Sequence, residues 1–345
     1  MKKKIISILC IFMLIFSLNI AVGCSGKNET NKKETNTEVK KEKNNTVKEE
    51  NKEKIKIGTL KGPTGISMVK LMDEQNNKYD IRIFDSPDQI VAKIVNGELD
   101  GAAVPSNLAA VLYNKTKGNV KLACVNTLGM LYVVENGDTI KNISDLRGKT
   151  IYSSGKGATP EYILNYILAK NNIDKEKDID IQYMNQHSDL SAALASKKAN
   201  IAILPEPFVT VTKVKDKNLK VSLDLTKEWE KVSDKNSKLA MGTIVFRKNF
   251  IDKNEKNLDK FLEDYKNSIE FVNNNTVKAA ELTEKYGIIA KAKIAEKAIP
   301  KCNIVFLNAQ ESKEHLNNFY DVLLKNNPKS IGGKLPNEDF YYKGK

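Results

Sequence analysis

A stretch of about fifty residues is written twice in this chain, about one hundred positions apart, and the repeat limits what the chain can fold into. Residues 55–64 read I-K-I-G-T-L-K-G-P-T and residues 149–159 read K-T-I-Y-S-S-G-K-G-A-T. Each ends in Lys-Gly-x-Thr, as Lys61-Gly62-Pro63-Thr64 and Lys156-Gly157-Ala158-Thr159. Downstream the likeness holds at an offset of 100: Ile81-Arg82-Ile83-Phe84 matches Ile181-Gln182-Tyr183-Met184, and Leu99–Pro105 matches Ala199–Pro205. Apolar runs of strand length alternate with stretches of helical period, so each copy reads as a β-α-β-α-β unit with a mainly parallel sheet. The pattern predicts two similar α/β lobes, each aiming a glycine-containing loop and a helix start toward a shared gap.

The first copy predicts strands at 55–60, 79–84 and 100–104, with helices at 65–77, 88–97 and 106–114. The last of these has Ser106 as a candidate N-cap. Strand-like runs at 120–126 and 130–134 carry the chain out of that lobe. The second copy predicts a helical turn at Asn142–Arg147, strands at 150–153, 179–183 and 200–204, and helices at 160–171, 189–197 and 206–213. A strand at 239–246 returns. The rest reads as helical, with apolar stripes at Leu258, Phe261, Leu262, Tyr265, Ile269, Val272 and at Leu316, Phe319, Tyr320, Leu323, Leu324. These helices cannot continue the repeat and are expected to pack on the first lobe. The expected domains are residues 55–128 with 240–345 as lobe I and 129–239 as lobe II. Crossings near 127–131 and 238–243 would form a hinge of two segments.

The N-terminus is a different kind of sequence. Lys2, Lys3 and Lys4 precede an apolar run from Ile5 to Ile20, followed by Ala21-Val22-Gly23-Cys24. That layout is a secretory signal over residues 1–23, too short for a spanning helix. Gly23-Cys24 resembles a bacterial lipobox, with Ala21 standing where that motif usually has Leu. Cys24 would then be the lipidated residue of an extracytoplasmic protein held at the cell membrane. Residues 25–54 are almost entirely Lys, Glu, Asn and Thr. They cannot bury enough apolar surface to offset chain entropy, so residues 24–54 read as a disordered tether. About 30 such residues reach roughly 30 Å on average.

The chain carries a net charge of +13. Signal and tether account for five of these charges, leaving a basic body whose lysines are scattered among glutamates and asparagines. Without an arginine stripe or interleaved aromatics, nucleic acid is excluded as a partner. Cys124 and Cys302 sit in apolar runs and read as buried thiols, and His187 and His315 share no motif. No metal spacing is present and no nucleophile, base and orienter set is readable. The expectation is therefore no metal, no cofactor and no catalytic residues.

Lys-Gly-Pro-Thr, Asn96-Gly97-Glu98-Leu99-Asp100, Ile143–Lys149, Gly155-x-Gly157 and Pro205-Glu206-Pro207, taken with Cys24, carry a family resemblance. The chain resembles the solute-binding lipoproteins of ABC importers, in the branch that includes sulfonate, taurine, nitrate and thiamine-pyrimidine binders. The resemblance spans about residues 55–325. It implies a two-lobed periplasmic-binding-protein-like fold, monomeric, that hands a small solute to an ABC permease. One branch of relatives makes the thiamine pyrimidine with a cysteine-rich iron motif, which this sequence lacks. A lipoprotein presenting its ligand to a membrane sensor is the third class consistent with these residues.

Within that frame the candidate contacts lie at strand ends, where clefts of open α/β sheets form. Lys61, Gly62, Pro63, Thr64 and Gly65 make the first loop, and Lys156, Gly157, Ala158 and Thr159 the second. Thr64 and Thr159 are placed to cap helices whose N–H groups attract carboxylate, sulfonate or phosphate. Against this stands the plainer reading of two turns with solvated lysines. Ser106, Asn107 and Glu206 occupy matching positions at the third strand of each copy. Glu206 reads either as a ligand or lobe-bridging carboxylate or as a charge that complements its own helix. Thr127 lies at the first crossing, and Asn185, Gln186 and His187 at a third rim position. Tyr132, Tyr152, Tyr162 and Tyr183 can belong to cleft or core. The preferred solute is anionic, and the alternative is a neutral heteroaromatic stacked on tyrosine and paired through Glu206.

Overall fold

The computed structural model describes residues 54–74, 78–233 and 238–344. Two sheets organise them. In the first copy β1 (Ile55–Leu60) runs into α1 (Pro63–Ile66) and α2 (Val69–Asp73), then β2 (Tyr79–Phe84), α3 (Pro87–Val95), β3 (Gly101–Pro105), α4 (Ser106–Lys115) and β4 (Val120–Leu128). The single helix expected at 65–77 is two short ones. Ser67 Oγ donates to the Thr64 carbonyl at 2.8 Å and Met68 N–H to Gly65 at 3.0 Å. Those tight bonds end the first helix and restart the second.

The chain then enters the second sheet at β5 (Leu131–Glu135). A 3-10 turn (Ile143–Leu146) follows, closed by a reciprocal Asn142–Asp145 capping box. Next come β6 (Thr150–Ser154), α5 (Thr159–Lys170), β7 (Asp180–Met184), α6 (His187–Ala195), β8 (Ile201–Pro205), α7 (Phe208–Lys215), β9 (Lys220–Asp224) and α8 (Leu225–Val232). β10 (Ala240–Arg247) returns to the first sheet. It is followed by α9 (Lys248–Asn274), α10 (Thr276–Lys285), α11 (Ala292–Ala298), β11 (Ile304–Asn308) and α12 (Ala309–Asn326). The C-terminal part is thus not wholly helical. β11 adds an edge strand against β4, with Ile304 opposite Thr127.

The sheet orders show what the repeat encodes. The first is β11-β4-β10-β3-β1-β2 and the second β7-β6-β8-β5-β9. β1 lies between β2 and β3 as β6 lies between β7 and β8, all parallel. One antiparallel strand then abuts each copy: Gly242 of β10 faces Pro105, and Leu131 of β5 faces Pro205. The matching strands β3 and β8 therefore hold equivalent places in separate sheets. This is the α/β, two-lobed periplasmic-binding-protein-like fold, and the chain passes between its sheets at 129–130 and again between α8 and β10.

Burial follows the sequence pattern. Ile57, Ile66, Val69, Phe246, Phe261 and Tyr265 form a core on one side of the first sheet, where α9 packs. On its other side Val104, Leu122, Leu316, Phe319 and Phe340 are buried against α12 and the C-terminal residues. Trp229 of α8 joins this second core, with its ring centroid 5.4 Å from that of Phe319 and 4.7 Å from that of Tyr166. Cys124 and Cys302 are buried free thiols.

Candidate functional site

A cleft of ≈ 150 Å³ opens where the C-terminal ends of the strands of both sheets converge. The turn after β1 supplies Leu60, Lys61, Pro63 and Thr64. The turns after β2 and β3 supply Asp85, Pro87 and Pro105. Opposite them stand Gly155, Ala158 and Pro160 after β6, Asn185, Gln186 and His187 after β7, and Pro205, Glu206 and Phe208 after β8. Thr127 and Met130 come from one crossing, Met241 and Gly242 from the other. Every parallel strand of both copies thus contributes its C-terminal turn, the place where open α/β sheets form ligand crevices.

Nine of the residues singled out in the sequence line the cleft: Lys61, Pro63, Thr64, Thr127, Ala158, Asn185, Gln186, His187 and Glu206. Lys61 Nζ is 2.8 Å from Asp85 Oδ1, both about half exposed, so its charge is balanced at the rim. Thr64 does not cap a helix. The cap position of α1 is Gly62, which has φ +121°, and Thr64 Oγ1 donates to the Leu60 carbonyl at 3.4 Å. Gly65 packs behind the loop, where a Cβ would fall 2.6 Å from the Leu60 carbonyl. Gly62 faces the other lobe, where a Cβ would lie 3.9 Å from Pro207.

The second loop is already occupied by its own neighbours. Gly157 N–H donates to Glu161 Oε2 at 2.5 Å and Ala158 N–H to the Gly155 carbonyl at 2.9 Å. An anion expected to use those two groups finds them taken. Lys156 lies over the Tyr183 ring at 5.5 Å, outside the cleft lining. The α5 cap position is Ala158, and Thr159 turns inward instead.

Thr159, Ser106 and Asn107 are fully buried and belong to one network between α4 and α5. Thr159 Oγ1 donates to Asn107 Oδ1 at 3.0 Å and lies 3.3 Å from Ser106 Oγ. Asn107 Nδ2 donates to the carbonyls of Gly157 and Ser330, at 3.2 and 3.1 Å. Ser106 is not an N-cap, since Pro105 holds that position, and its hydroxyl donates to the Ala240 carbonyl. These residues tie the two lobes together beside the cleft and do not line it.

Glu206 sits in the wall, nearly inaccessible, with a cis peptide to Pro207. Its two oxygens accept from Thr210 N–H and Thr210 Oγ1, each at 3.0 Å. Of its two sequence readings, the contact made is with its own helix. Burial pushes its carboxyl above the usual range against the pull of those two bonds. His187, the first residue of α6, has Nδ1 2.5 Å from Ser154 Oγ and its ring 5.3 Å from the Phe208 ring. Burial pushes its pKa down to about 4, so the imidazole is neutral at physiological pH.

Among the described residues no tyrosine lines the cleft, so the alternative reading has no tyrosine ring in the lining to stack on. Tyr132 and Tyr152 pack on the core around Leu204, Tyr162 on that around Ile163, and Tyr183 lies under Lys156. The ring at the site is Phe208, which sequence reasoning missed. Its only signal was its place two residues after Glu206. Asp85 was missed as well, though it sits 100 positions before Asn185, which was singled out. Among the described residues, no group of three or more His, Cys, Asp or Glu side chains could hold a metal ion, and no helix is long and apolar enough to cross a membrane.

Comparison with known proteins bears on what this arrangement is for. Residues 68–232 match a family described as the periplasmic substrate-binding protein of the phosphonate ABC transporter. The structure of an ABC transporter from Parabacteroides distasonis is similar over 85% of this chain and 100% of that one, at 27% identity and a TM-score of 0.71. Over residues 68–232 the chain is thus similar to the substrate-binding proteins of ABC transporters. The fold is shared with more distant structures. The alkanesulfonate-binding protein of Xanthomonas axonopodis pv. citri, bound to MOPS, matches 79% of this chain and 93% of its own at 14% identity, with a TM-score of 0.63. The nitrate-binding protein of Synechocystis PCC 6803 matches 72% of this chain and 69% of its own at 14% identity, with a TM-score of 0.56. No curated protein matches the sequence.

Proposed function

We propose that this chain is a substrate-binding protein that captures one small organic solute between lobe I (residues 55–128 and 240–345) and lobe II (129–239) and delivers it intact to an ABC permease. Cys24, which lies outside the described residues together with the signal and tether, would hold the monomer at the extracytoplasmic face of the membrane through its lipid. The observation that carries this reading is the cleft itself. Matching turns from both sheets line it, and both crossings form its floor. Movement about two crossings opens and closes such a gap without unfolding either lobe.

The chain supplies its own reporter. Trp229 is its only tryptophan and packs between lobe II, at Tyr166, and α12 of lobe I, at Phe319. Closure on a solute should change Trp229 emission in step with a rise in melting temperature, and mass spectrometry should then recover that solute unaltered. A solute that raises the melting temperature but is recovered as a converted product would replace capture with catalysis.

A second reading, a singly charged anion, is favoured by Lys61 at the rim and by the first turn of α6, which carries no proline where it meets the cleft. A ligand-presenting sensory role would use the same cleft. It is separated from import by whether radiolabelled solute accumulates in cells.

A further inference from the structure

Along α9 and α10 lysines alternate with acids and pair with them. Lys248 meets Asp252, Lys260 meets Glu263 and Asp264, and Lys278 meets Glu281. The seam between α7 and α11 is built differently. α7 carries Lys213 and Lys215 and is followed by Lys217; α11 carries Lys293 and Lys297 and is followed by Lys301. All six are exposed, and among the described residues none of them has an ion-pair partner. Lys293 and Lys297 stand four apart and so share one face of their helix.

The two rows belong to different lobes and meet. Val211 of α7 packs on the core that holds Ala295, Ala298 and Ile299 of the α11 segment. Burial raises the Glu206 carboxyl, while the Thr210 bonds and the charges of Lys301 and Lys213 pull it back. One of these lysines comes from each lobe, so both rows converge beside the same carboxylate at the edge of the cleft. Acids do not balance them. α7 contains none and α11 only Glu296. Asp216 is taken by Lys197 at 3.1 Å, Glu284 accepts from Ala292 N–H at 2.7 Å, and Glu206 is nearly inaccessible. Val214, 44% exposed, stands between Lys213 and Lys215.

We propose that the α7–α11 seam is a docking face for an anionic lipid surface, engaged by lysines of both lobes at once. The seam itself is filled by Val211, so the face offers spread charge rather than a groove. A layer of anionic headgroups needs no groove. Its negative potential draws clustered lysines, each worth about fivefold in binding near the surface. Val214 adds an apolar point that can enter the boundary between headgroups and chains. The attachment proposed for Cys24 would supply such a surface. Because each lobe contributes one row, lipid contact favours the arrangement in which α7 and α11 touch.

The test is sedimentation of residues 25–345, which lack the signal and Cys24, with vesicles of phosphatidylcholine alone or mixed with phosphatidylglycerol. The tether is common to every variant. Binding should require phosphatidylglycerol and weaken as salt is raised. Lys213→Gln with Lys215→Gln, and Lys293→Gln with Lys297→Gln, should each weaken it by about fivefold per lysine, at an unchanged melting temperature. The control pair, Lys253→Gln with Lys256→Gln, removes the same charge from exposed positions of α9 and should change binding by less than about twofold. An equal loss in the control would show that net charge alone draws the protein to lipid, and would overturn the seam as a site. A parent protein that ignores phosphatidylglycerol vesicles at low salt overturns the lipid partner. If both seam pairs then also abolish solute uptake by cells, the face belongs to an acidic protein surface instead.

Discussion

Thr159 Oγ1 donates a 3.0 Å hydrogen bond to Asn107 Oδ1, and both side chains are fully buried although they start helices in different lobes. Asn107 spends its amide group on the carbonyls of Gly157 and Ser330, so one side chain holds α5, α4 and the C-terminal segment in register. A buried acceptor that loses its donor keeps its full desolvation cost. Thr159→Val keeps the shape and removes the hydroxyl. It should lower unfolding stability by about 1–3 kcal/mol in urea titrations. An unchanged urea midpoint would show that water replaces the bond and that the lobes are not held there.

His187 should make stability depend on acid. The unfolded imidazole takes up its proton near pH 6.5, its ordinary value, and the folded one only at about 4. Between these values the unfolded chain binds more protons. The stability from keeping His187 neutral is therefore complete above pH 6.5 and is lost progressively as pH falls toward 4. Replacing His187 with Gln removes the titration. The variant should lose less stability than the parent between pH 7 and about 4.5, the background fall from carboxylates being common to both. Parallel pH profiles for the two proteins would mean that the imidazole is freely solvated.

The contrast between these residues shows what the sequence could and could not say. The repeat made β3 and β8, β2 and β7, and the place of the cleft legible, because a fixed offset and a strand period survive without knowledge of contacts. The roles within the loops were not legible. Thr64, Thr159 and Ser106 are the residue types that cap helices, but all three cap positions are held by neighbours: Gly62, Ala158 and Pro105. A hydroxyl at a helix start bonds to whichever partner the tertiary structure brings closer. The prolines of the cleft were visible letter by letter. Only the topology brings residues 63, 87, 105, 160 and 205 onto one surface. β11 was missed because Ile304–Asn308 is short, lies between helical stripes and needs β4 as its template.

Cys24 is argued from sequence alone and is tested in cells. Cys24→Ser removes the thiol that a diacylglyceryl group requires. Metabolic labelling with a fatty acid should be lost, and the protein should be released or keep its signal. Labelling that persists in Cys24→Ser would remove the lipid anchor from the proposed function.

The C-terminal residues form a strap over the first sheet. Tyr342 N–H donates to the Leu122 carbonyl at 2.9 Å, and Asp339 accepts from Tyr113 and from Lys121, both at 2.5 Å. Phe340 is fully buried beneath it, edge-on to Tyr113 with 5.1 Å between ring centroids. Phe340→Ala should destabilise by about 3–5 kcal/mol, the usual cost of emptying an aromatic core site. A loss under about 1 kcal/mol would mean that the strap is dispensable.

The first crossing is the tightest point in the passage between lobes. Gly129 joins β4 to β5, and a Cβ built on it would fall 2.2 Å from Thr226 Oγ1 and 3.0 Å from Thr226 Cβ. Thr226 is the second residue of α8, whose start is pinned by Asp224 accepting from Thr226 N–H at 2.9 Å. The threonine therefore has little room to retreat. Gly129→Ala should cost about 1–3 kcal/mol through overpacking. If the clash is with the hydroxyl and methyl of Thr226, then Thr226→Ala should recover part of that loss in the double variant, because the atoms at 2.2 and 2.8 Å are gone while Cβ stays at 3.0 Å. The same pair should also restore solute-dependent Trp229 emission if Gly129→Ala diminishes it, since α8 carries both Thr226 and Trp229. Strict additivity of the two substitutions in stability would show that the loss in Gly129→Ala does not arise at Thr226 and that the crossing does not bear on α8.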